Sequence, residues 1–315
     1  MFHLSDTDPL YLDHTPLTTL PDNITSRTTL TELHLDHTGL TVLPEAIGRL
    51  TNLRVLSVMA NQLTALPESL WTLPQLRVLN IGDNPLGSLS DVIGQLHSLT
   101  ELYVHNLNLT AIPVGIGQLT RLEILDLGHN AITILPDTFE TLPHLRFLYL
   151  SDSGFSSVPE AFLQAFPRLR YLNLTDNRLS ALPAALGELA ELIELRLYHN
   201  QLTTLPDSIG QLQALCELHL MNNRIERLPN SVGGLSALEH LDLRNNQLTT
   251  LPESLAGLTA LTHLDLRNNR FTSLPSFIPQ LPNLRKLDLR WNKLHTLPDW
   301  LSDLEARGVM VYRSF

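Results

Sequence analysis

The chain has 315 residues, 43% of them hydrophobic and 17% charged, with a formal net charge of −11. That apolar content suffices for a large core, and no long polar or low-complexity tract interrupts it. The acidic balance argues against nonspecific nucleic-acid binding, which needs Lys and Arg to neutralise phosphates.

Residues 1–9 read Met-Phe-His-Leu-Ser-Asp-Thr-Asp-Pro, without the basic and apolar segments of a secretory leader. The single cysteine, Cys216, favours a reducing compartment, so a cytoplasmic location is expected. No apolar run reaches the roughly 18 to 20 residues that a membrane-spanning helix needs, so no membrane insertion is expected.

From residue 10 onward the chain repeats. Thr15, Thr38, Asn61, Asn84, Leu107, Asn130 and Ser153 follow one another at steps of 23. One step of 24 leads to Asn177, and steps of 23 then reach Asn200, Asn223, Asn246, Asn269 and Asn292. Of these 13 anchors, nine are Asn, and the one extra residue falls between Pro159 and Leu169.

The stretch Leu241-Asp-Leu243-Arg-Asn-Asn246 shows what each unit does locally. Leu241 and Leu243 are two apart, so on a strand both point inward while Asp242 and Arg244 point to solvent. Stacking the units gives a right-handed solenoid lined by a parallel sheet. The anchor amide satisfies backbone groups where the chain leaves the strand; left unpaired, each would cost about 1–3 kcal/mol. Leu107 has no amide, so its unit is expected to be irregular, with Asn106 or Asn108 substituting.

Six residues after the anchor stands Pro in 12 of 13 units, Ser90 being the exception. Proline suits the first position of a helical turn. Acids such as Glu45, Glu68, Asp207 and Glu253 follow it directly and complement the positive end of such a turn. At the C-terminal end, Val309-Met-Val-Tyr312 reads as a last strand closing the core.

The full unit, LPxxIGxLxxLxxLxLxxNxL, resembles the leucine-rich-repeat family. It is similar to the 23-residue class found in Ras-suppressor and Scribble-type scaffolds and in bacterial leucine-rich-repeat proteins. The resemblance covers essentially the whole chain. It implies an α/β leucine-rich-repeat solenoid, a horseshoe with the parallel sheet on its concave face and short helical or 3-10 turns on its convex face. Residues 1–315 are expected to form one domain of about 13 repeats, with caps at 1–9 and 302–315. Such motifs specify fold and say almost nothing about the partner.

Recognition therefore has to be sought among the exposed strand positions, which fall four, two and one residues before each anchor. A central zone gathers Tyr103, His105, His129, Tyr149, Tyr198, His199, His219 and Met221, and Trp291 stands at the C-terminal end. Exposed aromatics of this kind serve as anchors at protein interfaces. The alternative is a merely decorated polar sheet. A second patch, Arg244, Arg267 and Arg290, could clamp a carboxylate or phosphate. Beside these arginines run Asp242, Asp265 and Asp288, so a self-neutralised surface network, worth little per pair, is the competing reading. Near the N-terminus, stacked strands should bring His14 and His37 to within about 5 Å, where a transition metal could bind, although adjacent similar repeats produce the same pairing without a metal.

Neither a phosphate loop, a dinucleotide fingerprint, a nucleophile elbow nor a zinc-protease motif occurs. Cys216 reads as an ordinary thiol. The chain is expected to be no enzyme, to need no cofactor, and to bind a protein partner on the concave face. Two alternatives stay open: a bacterial effector that binds a host protein, and a small-ligand or metal sensor at the His-rich end.

Overall fold

The computed structural model describes residues 8–137 and 139–314. Of the caps expected at the two ends, residues 1–7 and 315 lie outside the described residues. The chain divides into two compact units. The first runs to Thr133 and includes Phe139–Tyr149, and the second comprises Ile134–Thr138 and Leu150–Phe315.

In the first unit the strands are β1 (Leu10–Tyr11), β2 (Glu32–His34), β3 (Val55–Ser57), β4 (Val78–Asn80), β5 (Glu101–Tyr103), β6 (Ile124–Asp126) and β7 (Phe147–Tyr149). Each lies parallel to the next, with Leu33 opposite Leu56, Leu56 opposite Leu79 and Leu102 opposite Leu125. The second unit holds β8 (Tyr171–Asn173), β9 (Glu194–Arg196), β10 (Glu217–His219), β11 (His240–Asp242), β12 (His263–Asp265), β13 (Lys286–Asp288) and β14 (Met310–Tyr312). Its register is equally regular: Leu195, Leu218, Leu241, Leu264 and Leu287 stand side by side. The last strand, β14, closes this unit against β13, as expected for Val309–Tyr312.

The inward positions are apolar and dry. Leu241 and Leu243 are 2% and 0% exposed, while Asp242 and Arg244 between and beyond them are partly exposed. Alternation of side chains on a strand has this consequence wherever one face meets a core. Not every outward position stays wet, however. Ser57, Asn173, Thr175 and Asp288 are buried, and Arg267 and Arg290 both bond the Asp288 carboxylate.

Each anchor amide bonds in three directions. Asn246 accepts the Ile225 N–H at 3.0 Å and donates to the Leu220 and Leu243 carbonyls at 2.9 and 3.0 Å. One side chain thus satisfies backbone groups of two successive repeats. At Leu107 the expected irregularity is present, but neither asparagine substitutes. Instead the Leu86 N–H bonds the Asn84 carbonyl and the Gly87 N–H bonds the Leu107 carbonyl, with Gly87 at φ +71°. Backbone thereby replaces the missing amide, and Asn106 donates to Asp83 at 2.7 Å.

On the turn side, short 3-10 turns such as Glu45–Arg49, Asp207–Gln211 and Glu253–Gly257 recur. The proline does not open the turn; it precedes it with extended backbone (Pro44 at φ −75°, ψ 153°), and its carbonyl accepts the first turn bond, from Ile47 at 3.0 Å. Among the described residues three segments are α-helical: α1 (Asp22–Thr25), α2 (Glu160–Gln164) and α3 (Trp300–Ala306). The one-residue insertion lies in the α2 unit. Phe162 and Phe166 pack there edge to face at 5.1 Å, both buried. Close stacking of successive turns requires glycine: a Cβ on Gly210 would overlap the backbone of Ser231. At the C-terminal cap, Arg307 donates to the Pro279 and Leu281 carbonyls at 2.7 and 3.0 Å. Among the described residues no helix is long and apolar enough to cross a membrane.

Candidate functional site

Each of the strands β1–β13 is followed by a backbone reversal. The residue before each anchor adopts left-handed backbone, from His14 (φ +60°) through His129 (+56°) and His199 (+55°) to Trp291 (+61°). Asn, Asp and His tolerate this region better than other side-chain-bearing residues, because their short polar groups bond locally. The prevalence of those three types in this column is therefore a backbone requirement first. His129 and His199 project to solvent from it, and so does Trp291, a bulky residue for which the conformation is costly.

In the first unit the face centres on His105. Its ring lies against Gly82, where a Cβ would collide with it. Asp83 and Asp126 flank it, each with a carboxylate oxygen 3.4 Å from a ring nitrogen. Asp126, assisted by Asp83 and opposed by burial, raises the His105 pKa above the ordinary histidine value. On the same strand Tyr103 donates to Glu101 at 2.9 Å. Burial, then the Glu101 carboxylate, pushes the Tyr103 hydroxyl well above the usual tyrosine range. Tyr149 is half-buried on β7, and His129 is exposed. Closer to the N-terminus His14 and His37 stack at 4.8 Å, as the repeat register predicts. Their neighbouring carboxylates are engaged elsewhere: Asp13 accepts the Asp36 N–H, and Asp36 accepts the Met59 N–H, both at 2.8 Å.

In the second unit Tyr198 and His199 meet edge to face at 5.5 Å, and His199 lies 2.7 Å from Asp176. Arg244 covers Met221, its Nε 3.0 Å from the sulfur. Asp242 beneath has its pKa raised by burial. Arg267 is forked onto Asp265 and reaches Asp288 at 3.2 Å. Arg290 is forked onto Asp288 at 3.0 and 2.6 Å. Asp288 is only 1% exposed, while the Arg267 and Arg290 side chains above it are 19% and 34% exposed, so at this end of the ladder a buried carboxylate is capped by part-exposed guanidinium groups. Trp291 is 60% exposed, with the Arg290 guanidinium 5.3 Å from its ring centre. Tyr312 flanks the same guanidinium at 5.2 Å.

The leucine-rich-repeat model matches residues 97–155, 167–225 and 213–271. Further models of the same repeat match 17–111 and 259–302. The chain is a leucine-rich-repeat protein.

This leucine-rich-repeat protein is 38% identical to one from Leptospira interrogans, over 95% of this chain and 76% of that one, with a TM-score of 0.88. An internalin of Listeria monocytogenes shares the fold at a TM-score of 0.79 and 21% identity, with 97% of this chain and 86% of that one covered. A plant peptide hormone receptor solved in complex with RGF2 is 26% identical over 90% of this chain and 54% of that one, at a TM-score of 0.60. Comparison with curated proteins gave no match.

One face position of the leucine-rich repeats escaped the sequence-based choice of columns. Residues six before the anchor share the parity of those four and two before it, and they too line the strand face. Glu101, Glu194, Glu217, His240, His263 and Lys286 all stand there and are partly exposed. Strict period-two counting would have found them. In the second unit they help to form a shallow pocket of about 170 Å³, whose lining includes His219, His240, Asp242, His263, Asp265 and Lys286. His240 and His263 stack there at 4.3 Å. Burial, followed by the charges of His240 and Lys286, lowers the His263 pKa. Cys216 lies outside this face pattern, and burial, with Glu239 and Glu217 nearby, raises its thiol pKa, which disfavours the nucleophilic thiolate.

Proposed function

We propose that this protein is a non-catalytic interaction module that binds a partner protein through its strand face. The observation that carries the reading is Trp291. An indole on left-handed backbone costs roughly 1–2 kcal/mol, and 60% of it remains in water. Neither folding nor solubility accounts for that placement, whereas an exposed aromatic ring braced by an arginine is a common interface anchor. Tyr198, His199, His219 and Met221 extend this surface in the second unit, and Tyr103, His105, His129 and Tyr149 supply that of the first. Arg244, Arg267 and Arg290 already have carboxylate partners, so they frame the surface rather than wait for an anion. Repeat proteins of this architecture supply support, since the plant receptor was solved with its peptide hormone and a Drosophila Toll structure with Spatzle.

Affinity capture with wild-type protein, followed by Tyr149→Ala, Tyr198→Ala and Trp291→Ala, tests the reading. A specific partner lost from these variants, at unchanged thermal stability, supports it. Capture equal to wild type in all three sinks it.

A second reading, an exported bacterial protein whose repeats engage a host protein, draws on the 38% identity to the Leptospira interrogans protein, which fits a bacterial source. The first reading goes with a cytoplasmic location, in line with the lone cysteine. Assaying culture supernatant for the full chain separates the two.

A further inference from the structure

The second unit brings together three groups, of which the partner-binding reading uses only His219 and the repeat pattern none. Glu194 and Glu217 stand opposite each other on β9 and β10. His219, two residues beyond Glu217, points its side chain from the same face. Its Nε2 lies 3.1 Å from Glu217 Oε2 and 3.7 Å from Glu194 Oε1. One donor atom from each of the three falls within 4.8 Å of the other two.

We propose that Glu194, Glu217 and His219 bind a single divalent transition-metal ion of the zinc class. Three features support the assignment. First, a tetrahedral zinc ion with N and O ligands at 2.0–2.1 Å holds them about 3.3 Å apart, close to the two separations from His219. Second, imidazole with carboxylates is a donor set that suits borderline divalent ions over calcium or magnesium, which take oxygen alone. Third, the site is sheltered yet reachable: the side chains of Glu194 and His219 are 21% and 23% exposed, and that of Glu217 is 42% exposed. Three protein ligands leave a fourth position for water or an incoming side chain.

Arg196 is the internal competitor. Its Nε holds Glu194 Oε1, the oxygen facing His219. The guanidinium also lies 5.4 Å from the Tyr171 ring centre, which gives it a contact to keep when a metal takes the carboxylate. The arginine therefore weakens the site without blocking it. The stacked pair His14 and His37 forms no such group with carboxylates among the described residues.

Calorimetric titration of zinc into the metal-stripped full chain tests the proposal. One strong equivalent is expected, weakened at least tenfold by His219→Ala and by Glu217→Gln. The Gln variant keeps the side chain's size, so its loss reports ligation rather than folding. Arg196→Met should tighten binding severalfold. Neither His14→Ala with His37→Ala nor His240→Ala with His263→Ala should change it. Cobalt in place of zinc should give visible d–d absorption in wild type that disappears in His219→Ala. Strong zinc uptake that survives His219→Ala, uptake abolished by the His14/His37 double change, or no strong uptake at all overturns the assignment.

Discussion

The His105 ring rests on the backbone of Gly82, in the place where any side chain at residue 82 would project. Gly82 is thus a seat for the imidazole rather than a flexible point, since its φ lies outside the left-handed region. Gly82→Ala should destabilise the chain by roughly 1–3 kcal/mol, the usual cost of overfilling a packed position. In a His105→Ala background the same change should be neutral or stabilising, because alanine lowers the entropy of the unfolded chain. Urea unfolding of the four proteins measures the coupling. Equal effects of Gly82→Ala in both backgrounds would show that the two residues do not touch.

His105 also makes stability depend on pH. Its folded pKa is raised, by Asp126 first, so the protonated ring is favoured in the native state. The resulting stabilisation is complete below the unfolded-state value near 6.5 and is lost as pH rises through the folded-state pKa. Melting temperature should therefore fall between mildly acidic and mildly alkaline pH by more in wild type than in His105→Gln. Parallel profiles for the two proteins would remove His105 as the cause.

Asp288 and Asp176 should respond differently to alanine. Asp288 is 1% exposed and serves both Arg267 and Arg290. Its removal takes away the acceptor that both guanidinium groups share, although Arg267 keeps its fork onto Asp265, at a cost of about 1–3 kcal/mol. Asp176 faces His199 with 43% of its side chain exposed, so its removal should cost less than about 1 kcal/mol. Chemical denaturation of both variants decides, and similar small effects would place Asp288 in solvent rather than beneath the two arginines.

Trp291 predicts a conflict between stability and binding. Trp291→Asn relieves left-handed backbone of an ill-suited side chain and should leave the protein as stable as wild type, or up to about 1 kcal/mol more so. Partner capture should fall in the same variant. Calorimetric melting beside a capture assay reads both, and a variant that binds fully would show that the indole has no part in recognition.

Much of the architecture was legible because parity and period leave few choices. Leu241 and Leu243 had to share a face, and a step of 23 had to place Leu218 beside Leu241. Asn246 was legible as a bonding anchor, and His14 beside His37 followed from the same spacing. Other features were not. Proline was expected inside the turn but precedes it, because its carbonyl rather than its ring is what the turn uses. At Leu107 a rearranged backbone replaced the absent amide, whereas the sequence pointed to neighbouring asparagines. The left-handed column was visible as a run of His, Asp and Asn before each anchor, but those residues were read as recognition groups instead of as a conformational requirement.

By itself, then, the order of residues determined which side chains face inward and which column each outward residue joins, since both follow from strand geometry and a constant period. Tertiary structure alone decided which outward residues engage one another. Asp288 is submerged beneath two arginines, His105 lies over a glycine, and His219 points at two carboxylates, because side-chain length and rotamer act across strands that are 23 residues apart in the chain but a few ångströms apart in space.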